Sequence, residues 1–280
     1  MTETKTLREY VANARERKVA VGHFNISDSE GFKAVVESAK ELGVPVIIGV
    51  SEGEREFIGI SEVVSLVKMA REKDLPIFLN ADHTYSVEKV KEAVDAGFDS
   101  VIIDFANKPF EENVAATREC VEYAKSKGGH TLVEAELGFI GQSSKILENI
   151  PEGVSEETQT KPEDAKRFID ETGVDFFAPS VGNIHGIVKG GEPKLNIERI
   201  KAIASAVSIP LVLHGASGNS DEDIRAAIEA GIAIVHINTE LRLAYRDGLY
   251  DSIRSNPGEA APYKFLEPAV KRMKEYIAQK

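Results

Sequence analysis

The sequence predicts an α/β fold, a single (β/α)8 TIM barrel spanning residues 1–280, and three observations carry that expectation. A repeated phrase runs from an amphipathic helical stretch through a glycine into a short Val/Ile/Phe-rich run, which is how a helix C-terminus feeds a buried parallel strand. It occurs at Gly43-Val44, Gly97-Phe98, Gly173-Val174 and Gly231-Ile232. Eight strand candidates can be counted, separated by helical patterns and without consecutive hairpin strands, which favours a closed barrel over an open doubly wound sheet. No interdomain linker or low-complexity segment interrupts the chain, and ~250 residues is usual for one such barrel.

The first strand is expected at 19–24, an opening run of small and apolar residues, and the second at 44–50, released by Gly43. The third, 76–79, starts at Pro76, the fourth, 100–103, follows Gly97, and the fifth, 131–136, follows the Gly128-Gly129 break. The sixth, 175–178, comes after Gly173, the seventh, 210–213, begins at Pro210, and the eighth, 232–237, follows Gly231. The two longest irregular stretches, 137–159 and 181–197, follow the fifth and sixth strands. Long loops after barrel strands sit on the catalytic face and often act as lids, so a mobile lid is expected around 137–159.

With 42% hydrophobic and 29% charged residues, the composition is that of a soluble globular protein. A formal charge of -12 argues against nucleic acid or an anionic membrane surface as partner, because both reward clustered Lys and Arg. The single cysteine, Cys120, lies in a helical stretch, cannot close an intrachain disulfide and reads as a packing residue compatible with a reducing cytosol. No apolar leader and no run of roughly 18 apolar residues is present, so a cytoplasmic protein that neither crosses a membrane nor is exported is expected.

Nearly every predicted strand ends in a group able to bind a metal, move a proton or hold a phosphate: Asn25, Ser51, Asp82 with His83, Asp104, Glu136, His185, His214, and His236 with Asn238 and Thr239. A barrel brings all eight ends together. Of the six histidines, His83, His185 and His214 fall on this rim, and three neutral imidazoles leave a divalent ion an open coordination position for catalysis. Asp82, next to one of them, fits either a general acid or base or a carboxylate that orients an imidazole. Asp104 and Glu136 could form an alternative metal position, orient the histidines, or make buried ion pairs. The run His214-Gly215-Ala216-Ser217-Gly218, together with Asn238-Thr239, offers backbone N–H and hydroxyl donors to a phosphate at the two strands where barrels often hold one.

These segments resemble the class II, metal-dependent fructose- and tagatose-bisphosphate aldolases, from about Leu7 to the C-terminal helix. The matching runs are Phe24-Asn25, Pro45-Val46-Ile47-Ile48-Gly49-Val50-Ser51-Glu52-Gly53, Asp82-His83, Val133-Glu134-Ala135-Glu136-Leu137-Gly138, Val181-Gly182-Asn183-Ile184-His185-Gly186, Leu211-Val212-Leu213-His214-Gly215-Ala216-Ser217-Gly218 and Asn238-Thr239-Glu240-Leu241-Arg242. The resemblance implies that His83, His185 and His214 hold Zn2+ or another divalent metal, with a monovalent cation as a possible activator. It implies that Asp82 transfers the proton at the C4 oxygen, and that Gly186, Gly215, Ala216, Ser217 and residues 236–239 bind the dihydroxyacetone-phosphate half. It also implies a homodimer or homotetramer. The reaction implied is reversible cleavage of fructose 1,6-bisphosphate through a Zn2+-stabilised enediolate. A tagatose-specific enzyme, a noncatalytic sugar-phosphate-binding barrel and a barrel metallohydrolase are the alternatives. No strand-end lysine suits the Schiff base of a class I enzyme.

Several positions depart from the family pattern. The lid acid that usually follows a Gly-Gly pair is missing: Gly141 precedes Gln142-Ser143-Ser144-Lys145, so a different loop acid such as Glu148 or Glu152 serves, or the proton-exchange step is altered. His236 stands for a substrate-binding amide, His23 for a small residue, Phe105-Ala106 follows Asp104 in place of Gly-Ser, and Ala261-Pro262-Tyr263-Lys264 replaces Asp-Pro-Arg. At the last position a bidentate phosphate contact becomes, at best, a point charge from Lys264. The departures leave the dihydroxyacetone-phosphate half intact and fall on the aldehyde half.

Overall fold

The computed structural model describes residues 5–141 and 145–280. In chain order the strands among them are β1 (Val21–Asn25), β2 (Val46–Val50), β3 (Ile77–Thr84), β4 (Ser100–Ile103), β5 (Leu132–Leu137), β6 (Ile146–Leu147), β7 (Phe176–Pro179), β8 (Ile187–Val188), β9 (Leu211–Leu213) and β10 (Ile232–Ile237). All but β6 and β8 close into a barrel in the order β1-β10-β9-β7-β5-β4-β3-β2, every pair parallel. Gly43, Gly97 and Gly173 end their helices in the left-handed conformation, which is the physical content of the repeated helix-glycine-strand phrase. No helix among the described residues is long and apolar enough to cross a membrane.

Strand alternation builds the interior in layers. Val21, Ile47, Phe78, Leu132, Phe176, Val212 and Ile234 form an apolar floor, sealed by Leu7, Val11 and Ala14 of the helix Leu7–Glu16. Burying Leu7 or Val11 there contributes roughly 1.5–3 kcal/mol each. The intervening residues, among them Phe24, Ile48, Leu79, Val101, Val133 and Ala135, pack against the surrounding helices. Two residues beyond the floor the inward face turns polar with His23, Asn80, Glu134 and His236; two further it carries Asn25, Asp82, Glu136 and Asn238. Apolar floor and polar ceiling thus come from one period-2 pattern.

Two features differ from the sequence-based expectation. β3 runs on to Thr84, so Asp82 and His83 lie within it; a register shift against β4 between Ala81 and Thr84 marks a bulge. The loops expected to be wholly irregular are joined by β6 and β8, which pair Ile146 with Ile187 and Leu147 with Val188. Residues 142–144, the position of the missing lid acid, lie outside the described residues.

Candidate metal centre and active site

At the C-terminal end of the barrel opens a cavity of about 360 Å³. Asn25, Ser51, Asp82, His83, Asp104, His185, Gly186, His214, Gly215, Ser217, His236, Asn238 and Thr239 line it, joined by Tyr85, Lys145 and Arg242. Two expected residues do not line it. Ala216 is fully buried and donates its backbone N–H to the His236 carbonyl at 3.3 Å. Glu136 is buried beside His214, with 3.7 Å between Oε2 and Nδ1.

Neighbouring residues in a strand ordinarily face opposite sides, yet Asp82 and His83 both reach the cavity. The bulge and a His83 φ of 36°, in the left-handed region, make this possible. Such a backbone costs of order 1–3 kcal/mol in a non-glycine residue. Arg55 offsets it: its buried guanidinium donates to the Val50 carbonyl at 2.7 Å, the Asp82 carbonyl at 3.2 Å and Thr84 Oγ1 at 3.0 Å.

One donor atom each from His83, Glu136, His185 and His214 lies within 4.8 Å of the others. Each imidazole is anchored through its second nitrogen. His83 Nδ1 meets Asp104 Oδ2 at 2.8 Å, His185 Nδ1 donates to the Gly141 carbonyl at 2.8 Å, and His214 Nε2 meets Glu134 Oε1 at 2.6 Å. His83 Nε2 and His214 Nδ1 are left 3.3 Å apart. Anchoring by outer acceptors is how metal-binding imidazoles are held with their lone pairs aimed inward. Glu136 Oε2 is buried without a hydrogen-bond partner, an orphaned acceptor in a set of three nitrogens and one carboxylate that suits a divalent transition metal. Asp104 is thus placed to orient His83, and Glu136 to complete a set of donors able to hold a metal.

Burial and mutual charge shift the titration of these groups. Burial, with Asp104 nearby, pushes the Glu136 carboxyl well above its ordinary range. Burial also raises Glu134 to about 7. Burial and neighbouring His83 lower His185 to about 4. Burial disfavours charge on His83 too, but Asp82 and Asp104 outweigh it and raise its pKa to about 10. Burial likewise opposes ionisation of Asp82, yet His83 and His236 hold it well below the usual carboxylate range.

Asp82 Oδ2 accepts from Asn25 Nδ2 at 2.8 Å, while Oδ1 is buried without a hydrogen-bond partner. Glu54 organises the neighbouring wall by accepting from Asn25 Nδ2 at 2.9 Å, Ser51 Oγ at 2.8 Å and Arg242 Nη2 at 2.5 Å. The sequence alone does not single out Glu54, Arg55 or Glu134. The capping-box spacing from Ser51 to Glu54 and the shared face of Glu134 and Glu136 were the available signals. On the opposite wall, Ser217 Oγ accepts from the backbone N–H groups of Asn238 at 3.3 Å and Glu240 at 3.4 Å, where the helix Thr239–Ser255 begins.

Gly215, with φ 58°, passes so close to the neighbouring loop that an added Cβ would lie 2.2 Å from the Ile184 carbonyl oxygen. Gly215→Ala is expected to destabilise the fold by about 2–3 kcal/mol in urea denaturation. Unchanged stability would contradict this packing. The acids suggested for the lid do not enter the cavity: Glu148 is exposed and pairs with Lys189 at 2.5 Å, and Glu152 is exposed. Lys264 pairs with Glu259 at 3.1 Å and does not line the cavity of its own chain.

Fold and site together define a (β/α)8 barrel that gathers side chains able to hold a divalent metal beside a buried carboxylate and a helix N-terminus. The family described as "Fructose-bisphosphate aldolase class-II" matches residues 5–280. The fructose-bisphosphate aldolases of Staphylococcus aureus strain Mu50 and Staphylococcus epidermidis strain ATCC 12228 are each 37% identical over 279 residues, covering 98% of this chain and 95% of theirs. The YdjI aldolase of Escherichia coli K12 superposes with a TM-score of 0.83 at 32% identity, covering 98% of this chain and 94% of its own. The chain belongs to the class II fructose-bisphosphate aldolase family. It is an aldolase, a lyase of the metal-dependent class, whose substrates are phosphorylated ketoses. The noncatalytic and tagatose-specific alternatives are not favoured.

Proposed function

We propose that this aldolase uses Zn2+ to cleave fructose 1,6-bisphosphate reversibly into dihydroxyacetone phosphate and glyceraldehyde 3-phosphate. The observation that carries the reading is the convergence of His83, His185, His214 and Glu136 beside Asp82. A divalent ion on these residues supplies Lewis acidity toward the ketose carbonyl oxygen, where negative charge develops as the carbon–carbon bond breaks. Asp82 Oδ1 takes the C4 hydroxyl proton as the C3–C4 bond electrons move to the dihydroxyacetone-phosphate half, and returns it in the condensation direction. Its ionised state and partnerless oxygen suit that role.

Gly186, Gly215, Ser217, Asn238 and Thr239 bind the phosphate of the retained half. The N–H groups and dipole at the start of the 17-residue helix Thr239–Ser255 support anion binding there. Asn25, Ser51 and His236 face the sugar chain. The 137–159 loop acts as a lid whose β6 strand ties it to the 181–197 loop. The enzyme works in the cytoplasm as a homodimer or homotetramer; Phe57 at 78% exposure and Tyr263 at 74% are apolar surfaces such an assembly could cover. Measuring kcat/KM for both ketose bisphosphates tests the substrate: fructose 1,6-bisphosphate should exceed the tagatose epimer by at least about tenfold, or ~1.4 kcal/mol. The reverse order would transfer the assignment to tagatose.

Metal binding should also be linked to protons. His83, raised to about 10 by Asp82 and Asp104 against the opposing effect of burial, carries a proton at pH 7 that an incoming cation must displace. Zn2+ affinity is therefore expected to rise by at least about tenfold per pH unit between pH 6 and 8. Calorimetry in buffers of different ionisation enthalpy should detect at least one proton released per ion; a pH-independent affinity would contradict the linkage.

A further inference from the structure

Two departures from the family pattern, His23 and His236, lie 213 positions apart in the chain but are direct partners in the β1–β10 register. Their rings stack with centroids 3.5 Å apart and 5° between planes. His214 extends the column, with its ring 4.1 Å from that of His236 and inclined by 21°. We propose that His23 and His236 are one device, in which His23 is a positioning residue that holds His236, and through it Asp82, in the geometry the proton transfer requires. The inference rests on the aldolase reading.

The pocket for His23 is built into the sequence. A Cβ at Gly49 would lie 2.1 Å from His23 Cε1, so this glycine leaves the space that the ring fills. Asn80 Nδ2 donates to Ser100 Oγ at 2.7 Å, which turns its Oδ1 toward His23 Nε2 at 3.1 Å. An amide oxygen only accepts, so His23 Nε2 is the donor and the ring is fixed edge-on, fully buried and outside the cavity wall. On the other side of the stack, His236 Nδ1 lies 3.6 Å from Asp82 Oδ1, the oxygen without a hydrogen-bond partner. Contacts of this length tighten when substrate closes the site.

His23, Asp82 and His236 also lie close enough to resemble a second metal site. Parallel rings argue against it. An imidazole binds a cation in its own plane, and planes 5° apart and stacked at 3.5 Å do not meet at a common ion. What the stack can do is deny His236 the space to drop away from Asp82. Removing His23 opens that space, and a misplacement of ~1 Å costs up to about a hundredfold in rate.

The test is a cycle of His23→Gly, His236→Asn and the double variant, which restores the small-residue and amide pair, assayed as metal-loaded enzymes. Two rates are read: cleavage, which needs Asp82, and exchange of the dihydroxyacetone-phosphate C3 hydrogen with solvent, which does not. His23→Gly is expected to lower cleavage kcat by about ten- to a hundredfold, with exchange and KM much less affected. The double variant should recover activity relative to the sum of the single losses. His23→Phe, which keeps a stacked ring, should retain most of the cleavage rate and stands in if the glycine variant fails to fold. Additive losses, or cleavage and exchange falling in step, would overturn the pairing. Wild type that cleaves no ketose bisphosphate would instead count against the aldolase reading. A crystal structure of His23→Gly separates the two: an unmoved His236 ring overturns the positioning role whatever the substrate.

Discussion

Asp82→Asn should abolish most cleavage, lowering kcat by about 10²–10⁴-fold while leaving the fold and the metal in place. The substitution keeps the shape of the side chain and removes the proton acceptor. The distances bear on the two roles left open by the sequence. Asp104, not Asp82, meets His83 Nδ1 at 2.8 Å and orients the ring. Asp82 Oδ1 lies 3.8 Å from His83 Nε2 and has no hydrogen-bond partner, so it is free to accept a proton. Because the proton proposed for it belongs to the C4 hydroxyl, the variant should still exchange the C3 hydrogen of dihydroxyacetone phosphate with solvent. Cleavage equal to wild type would remove Asp82 from the mechanism, and loss of exchange in equal proportion would make its role structural.

The second large effect is expected from His185→Ala. His185 comes from the loop after β7 rather than from a strand, is held through the Gly141 carbonyl, and is part-exposed, so its removal should be tolerated by the fold. Metal affinity should fall by more than the 10–100-fold that loss of an outer partner costs, because a direct donor is lost. Metal analysis after dialysis should find the variant depleted, with a melting temperature in the chelated state close to that of chelated wild type. Full metal retention would place the ion elsewhere.

Much of the fold was legible because its signals are local. Helix, glycine and apolar run recur along the chain, and the barrel topology then follows from parallel connection rules. The rim residues were legible for the same reason, since a strand's end can be located from its sequence and barrels gather such ends. Long-range consequences were not. The β3 extension depends on a bulge that Arg55 stabilises from another element. Glu134 lies one layer below the rim, so strand ends alone do not reveal it although it shares the face of Glu136. Glu54 was hidden because a capping-box glutamate is ordinarily a local helix signal, and its contacts to Asn25 and Arg242 need the closed barrel. The β6–β8 pairing spans too few residues to show a period. His23 and His236 were each visible as departures, but only closure of β1 against β10 makes them one feature.

The most direct test of the central claim is triose-phosphate release from fructose 1,6-bisphosphate by the purified enzyme, measured as isolated, after chelation and after Zn2+ is restored. Activity that disappears with the chelator and returns with Zn2+ is the expected result. Cleavage that survives removal of the metal, or persistent inactivity with the metal bound, would contradict the account.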